Sequence, residues 1–333
     1  MKKLIVLIVI LISIVKISFA QYIYPVAEYR NDLRNFELSN FDIQDTVLYL
    51  PLGEHGLQII DISDIHNFQP IATYEEFERR SRKKVYGTAY CVKVIDNKAF
   101  LSYGELGLKI LNISDPTMPF VMGTYYRHQD VYCTKIYKNF ALLGYVGMGL
   151  EIVDFSNMND IRLASRNNVK DFSVNNIQVL PPYVMISGGR SGLRTFKFGE
   201  PFTEFKQAEF PKDYITESEA HQLLVYDKTG YIANDFKGLL VLNMGLPLYP
   251  LKVNEIKTIG KATNLMIDRS FLYVTTDKGI DVFDIQEPEK PVKIFEHIEK
   301  DKEFKYLKMH GDYLYALFED GKREYGIEIF QVE

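Results

Sequence analysis

A glycine followed by an alternating apolar strand recurs seven times along the chain. The copies are Gly56-Leu57-Gln58-Ile59-Ile60-Asp61, Gly107-Leu108-Lys109-Ile110-Leu111-Asn112 and Gly149-Leu150-Glu151-Ile152-Val153-Asp154, then four more from Gly192, Gly238, Gly279 and Gly326. Steps of 51, 42, 43, 46, 41 and 47 residues separate the glycines, which brackets one four-stranded propeller blade per copy. Upstream of the glycine, two short strands meet at a tight turn, as in Cys91-Val92-Lys93-Val94-Ile95, Asp96-Asn97 and Ala99-Phe100-Leu101-Ser102-Tyr103. Such β-branched and aromatic runs joined by Asp, Asn and Gly read as antiparallel hairpins. Downstream comes a proline-led fourth strand, Pro70-Ile71-Ala72-Thr73-Tyr74 or Pro119-Phe120-Val121-Met122-Gly123. Proline fits there because an outermost strand has one unpaired edge. Residues 21–333 hold no sustained helical period, so the pattern predicts an all-β, seven-bladed β-propeller of four-stranded antiparallel blades.

The two ends of the chain extend this reading. Lys2 and Lys3 precede an apolar run from Leu4 to Val15, and Ser18-Phe19-Ala20 supplies small residues for a signal peptidase. That is the pattern of a secretory signal peptide, and the run is too short for a membrane span, for which about 20 residues are needed. Residues 1–20 are therefore expected to leave by cleavage near Ala20, with 21–333 forming one propeller domain without a membrane span. The seventh repeat stops at Glu333, directly after its third strand, and so lacks an outer strand. Tyr24-Pro25-Val26-Ala27-Glu28-Tyr29 matches Gln69-Pro70-Ile71-Ala72-Thr73-Tyr74. Residues 21–36 are expected to supply the missing strand and close the ring.

The Gly-Leu-x-Ile-Val-Asp strand followed by Ser-Asp-Pro, seen at Gly149 to Asp154 and Gly107 to Pro116, resembles the LVIVD-repeat proteins. The fourth copy departs from it, with Thr195, Phe196 and Lys197 where the apolar pair and Asp stand elsewhere. The resemblance implies a β-propeller and an exported or cell-surface location. It brings no catalytic residues.

Charge narrows the partners. The chain carries 39 basic and 44 acidic residues, and loss of 1–20 removes three lysines and no acid, leaving a net charge of about −8. An acidic balance argues against nucleic acid, which requires a basic footprint. One stretch runs the other way: the long first step contains Glu75-Glu76-Phe77-Glu78-Arg79-Arg80-Ser81-Arg82-Lys83-Lys84. It reads either as a solvated loop or as an electropositive patch for an acidic partner.

Candidate chemistry is sparse. The repeated Asp61, Asp154 and Asp284 stand where the third strand turns, a place for bonds to backbone N–H groups two residues on; a Ca²⁺ role would require several converging oxygens. Cys91 and Cys133 lie one blade step apart, open to three readings: buried thiols, a disulfide if the geometry allows, or a reactive group. The same inner position in each blade gives Asn40, Cys91, Cys133, Asn176, Gln222, Thr263 and Lys305, the lining of a wet central channel or simply solvated strand ends. The six histidines lack metal-site spacing, no nucleophile elbow or phosphate loop occurs, and no cofactor is expected.

Binding loops on a rigid scaffold are expected at Glu54, His55, Arg79, Arg80, Arg82, Lys83, Lys84, Glu105, Arg127, His128, Arg190, Asp235 and Asp277. The function expected is an exported, monomeric, non-catalytic binding or scaffold module for an envelope protein or glycan. The alternative is an extracellular propeller hydrolase or lyase acting on a saccharide, ester or lactone.

Overall fold

The computed structural model describes residues 22–34, 38–80, 83–127, 129–168, 172–198, 205–206, 214 and 216–333. The expected signal peptide and its cleavage point lie outside them. The described residues hold no helix, and seven four-stranded antiparallel sheets follow one another along the chain. Blades one to six take in residues 42–74, 91–125, 131–168, 176–206, 222–256 and 262–298 in turn, each ordered from inner to outer strand. Blade seven takes its three inner strands from 302–332 and its outer strand from Ile23–Arg34.

That closure has the expected register. Pro25 stands opposite Phe330 and Tyr29 opposite Ile327. The ladder extends to Tyr22 and Glu333, whose backbones exchange two hydrogen bonds of 3.0 Å. Tyr29 then reaches across to blade one, stacking on Phe68 at 5.4 Å and donating its hydroxyl to Gln58 Oε1 at 3.2 Å. The closing strand thus seals two blades, pairing with the seventh and packing on the first.

The core lies between blades. One cluster joins Leu48, Leu50 and Ile60 of blade one to Leu317, Ile327 and Ile329 of blade seven, and six others repeat the arrangement around the ring. Burying each large aliphatic side chain contributes roughly 1.5–3 kcal/mol, so separating blades is costly. With no tryptophan in the chain, the bulk at these seams comes from Tyr103, Tyr145, Tyr231, Tyr273 and Tyr315, each 2% exposed or less.

The repeat glycine has a steric cause. Gly56 has φ of +74°, and a Cβ there would lie 2.0 Å from the Tyr74 carbonyl oxygen of the outer strand. Other residues are excluded both by backbone conformation and by the close approach. The repeated Asp or Asn behaves as expected: Asp61, Asn112, Asp154, Asn243 and Asp284 each accept a hydrogen bond from the N–H two residues on, at 2.8–2.9 Å.

The basic stretch is more ordered than a loop. Phe77–Arg80 and Lys83–Tyr86 form a two-stranded hairpin of their own, with Phe77 against Tyr86 at 5.5 Å and Lys84 Nζ 4.2 Å from the Phe77 ring centre. Cross-strand aromatic contact gives the insertion local structure that its charge run alone did not suggest.

Candidate functional site

The inner strands of all seven blades surround a central cavity of about 570 Å³. Its wall includes Asn40, Cys91, Cys133, Asn176, Gln222, Thr263 and Lys305, the row expected to line a channel. The side-chain amides in this row also staple blade to blade. Asn40 donates to Val92 O at 2.8 Å and accepts from Val92 N at 3.0 Å, and Asn176 accepts from Leu223 N at 3.4 Å. Gln222 accepts from Leu265 N in the same way. Two members of the row need a one-residue correction. The register of blades six and seven puts Asn264 opposite Thr275 and Tyr306 opposite Leu317, the rungs that Cys91 opposite Ser102 and Cys133 opposite Gly144 occupy elsewhere. Thr263 and Lys305 are the bulged residues, and they still face the cavity.

Lysines give the cavity its electrostatic character. Lys93 pairs with buried Asp42 at 2.8 Å, and Lys308 pairs with the same carboxylate from blade seven. Asp42 also accepts the N–H groups of Ile43 and Val94. Burial alone would raise its pKa, yet Lys93 and Lys308 together hold it below the ordinary range. Lys305 is shared by Glu303 at 2.8 Å and Glu319 at 3.3 Å. Lys135 has no hydrogen-bond or ion-pair partner among the described residues. Burial and the nearby charge of Lys93 lower its pKa, so a charged Lys135 is under-compensated where it stands.

The thiols are free. Cys133 donates to Val174 O at 3.5 Å, and burial pushes both thiols up. A thiol held protonated is a poor nucleophile. His221, on the same wall, is lowered by burial and lies 3.9 Å from Asp235 Oδ1, beyond hydrogen-bond reach.

The loop residues expected to recognise a partner stand away from the cavity wall. Glu54, His55, Arg79, Lys84, Glu105 and Arg190 are exposed on the turns and the hairpin. Arg190 pairs with Glu219 at 3.2 Å. Arg127 and Asp277 turn inward: Arg127 pairs with Glu151, and Asp277 accepts the Lys261 N–H at 2.7 Å. Asp235 is half-buried, and its backbone exchanges hydrogen bonds with Ala262 of the next blade. Arg80 and Lys83 belong to the hairpin strands, while their side chains, Arg82 and His128 lie outside the described residues.

Sequence reasoning missed a second set of polar residues. The variable position in Gly-Leu-x-Ile reads as the solvent face of an alternating strand, yet Lys109, Glu151, Asp281 and Glu328 are each 5% exposed or less. Lys109, Glu151 and Asp281 capture the segment leading into their own blade, with Lys109 on Glu76 at 2.8 Å and Asp281 accepting from Ile259 N at 2.9 Å, and Glu328 accepts from Lys302, which begins its blade's inner strand, at 2.9 Å. Glu151 is the most heavily bonded, with Arg127, Arg166 at 2.6 Å, Tyr145 at 2.8 Å and Tyr125 at 3.1 Å. Burial, then the Glu151 charge, pushes Tyr125 up to about 12. A carboxylate or ammonium recurring at a core-flanking x position was the available signal.

Seven inner strands around a polar cavity, sealed by a strand from the other end of the chain, define a seven-bladed β-propeller with a central recess. The chain carries LVIVD repeats: the LVIVD repeat model matches residues 86–126 and 259–296. No curated protein sequence matches it. Among solved structures, it is similar in fold to the computationally designed Ika8 protein, at 10% identity and a TM-score of 0.64 over 88% of this chain and 83% of that one. A chain in a crystal structure of the Mitotic Checkpoint Complex gives 11% identity and a TM-score of 0.72 over 93% and 96%. At such identities the likeness is one of fold alone.

Proposed function

We propose that this chain is an exported binding propeller whose central cavity takes an acidic, hydroxyl-rich ligand, best represented by a short uronic-acid glycan. The observation that carries this reading is Lys135, an under-compensated ammonium in a cavity whose wall also carries the amides Asn40, Asn176, Gln178, Gln222 and Asn264, while its carboxylates Glu303 and Glu319 are paired with Lys305. A volume of about 570 Å³ lies in the range of small-ligand sites, and amides and hydroxyls suit a sugar's donors and acceptors. The exposed loops and the basic hairpin would frame the entrance, and the acidic surface beyond would select against highly charged polyanions.

The test uses residues 21–333 titrated calorimetrically with a diuronic acid, the matching neutral disaccharide and inorganic phosphate. The diuronic acid is expected to bind best, and Lys135→Gln to weaken it about tenfold, the worth of a charge-assisted hydrogen bond, without lowering the melting midpoint. Because Lys135 loses its proton below the usual lysine range, affinity should fall with rising pH earlier than for a surface lysine. Equal binding by wild type and Lys135→Gln would remove the cavity from the account. Export has a separate check: in a bacterial host the mature product should begin at Gln21, and a chain retained with Met1 would overturn it.

A further inference from the structure

Away from the cavity, three side chains with metal-ligand chemistry converge at the junction of blades six and seven. His297 lies in the outer strand Val292–Ile298, Glu299 begins the linker, and Glu328 sits in the third strand Glu324–Val332 of blade seven. One ligand atom from each lies within 4.8 Å of the other two.

Two of these groups lack partners for what they bury. Glu328 is 5% exposed; its Oε1 accepts from Lys302, but its Oε2 is buried with no hydrogen-bond partner. His297 Nε2 is buried and unpartnered as well. The imidazole is held edge-on against Phe330 at 5.0 Å and Phe304 at 6.2 Å, so its ring has little freedom to seek another partner. Buried polar atoms are almost always satisfied, and an unsatisfied cluster calls for an unseen ion or water. The charge favours a cation. Lys302 bridges Glu28 at 2.7 Å and Glu328 at 2.9 Å, Glu299 adds a third carboxylate beside His297 and Glu328, and Arg30 is shared between Glu28 and Asp320.

We propose that His297, Glu299 and Glu328 form a site for a divalent transition-metal ion of the zinc class, tying blade six to blade seven beside the closing strand. One imidazole and two carboxylates suit Zn²⁺, Co²⁺ or Mn²⁺ and leave a position for water, whereas Ca²⁺ and Mg²⁺ favour all-oxygen sets. Glu328 stands opposite Glu28 in the closing ladder, so the ion would act through the same strand that the N-terminal segment completes. Lys302 keeps its bond to Glu28 when Glu328 turns its free oxygen to the metal.

The experiment strips the full chain with chelator and titrates it with Co²⁺, a spectroscopic substitute for Zn²⁺. One equivalent should bind with visible bands stronger than those of the hydrated ion, and Zn²⁺ should displace it. Zn²⁺ at a hundred times its Kd should raise the melting midpoint by roughly 5 °C. His297→Ala should abolish the bands, and Glu299→Gln should weaken binding at least about tenfold; Glu299 is half-buried on a linker, so its variant decides the matter even if His297→Ala fails to fold. Absence of bands in folded wild type, or bands unchanged by Glu299→Gln, overturns the site.

Discussion

Blades four and seven come from the same repeat but are finished in opposite ways. The third strand of blade seven pairs with a partner from the other end of the chain through nine registered positions. In blade four, among the described residues, Leu193–Phe198 meets Phe205–Lys206 through two, with a separate bridge from Leu193 to Tyr214. Blade four also lacks the Asx turn, with Lys197 in place of Asp, and has Arg194 over the Phe172 ring at 5.2 Å where blade three has its buried glutamate network. Among the described residues, outer-strand pairing is longest where the chain must be joined to itself. A blade held on both sides by covalent neighbours can do with less, because those neighbours already confine it.

The sharpest way to break this comparison is to remove residues 1–34. The truncated chain should lose more than about 5 kcal/mol, much of a typical domain's stability, in urea unfolding, and a synthetic peptide of residues 22–34 should restore the midpoint. If truncation left the midpoint unchanged, the seam would have no special weight. Next in size, Glu151→Ala leaves Arg127 and Arg166 facing a buried gap and should cost about 3–5 kcal/mol. The equivalent Arg194→Ala in blade four should cost roughly 0.5–1 kcal/mol, and equal losses would erase the contrast between ordinary and degenerate blades.

Acid should act at the seam before it acts on blade four. Asp42 joins blades one, two and seven through Lys93, Lys308 and Val94, and its folded pKa is lowered. Its stabilisation is thus fully present above the ordinary aspartate range and is lost as pH falls through that range toward the lowered value. Asp42→Asn should flatten this acid limb in melts recorded from pH 6 to pH 3. The smallest effect expected is that of Asp284→Ala, about 1 kcal/mol for one lost Asx hydrogen bond, against no measurable loss for Lys197→Ala.

These contrasts also show what the sequence could reveal. Blade number, ring closure and the Asx turns were legible because each rests on local chemistry that recurs from blade to blade: a glycine forced by φ, a proline tolerated at an edge, an Asp or Asn beside its own backbone. The cavity row was legible as a position, but Thr263 and Lys305 were displaced one step because the turn between the second and third strands changes length: Thr275 pairs with Ile280 in blade six and Leu317 with Ile327 in blade seven, where Ser102 pairs with Leu108 in blade two. The buried x positions were hidden by the period-2 rule itself, which assigns every second residue to solvent and cannot register that a linker returns to cover it. The convergence of His297 with Glu328 was equally hidden, since strands of neighbouring blades set that distance.

The closing ladder also fixes how the molecule bears load. Ile23 stands opposite Val332, and Tyr22 is bonded to Glu333, so a pull applied to those two residues opens the ladder from its end, one rung at a time. A pull between Tyr22 and a point on blade four would load all the rungs together, in shear. A ring tethered through one end should therefore resist stress that would peel it open if it were held by both.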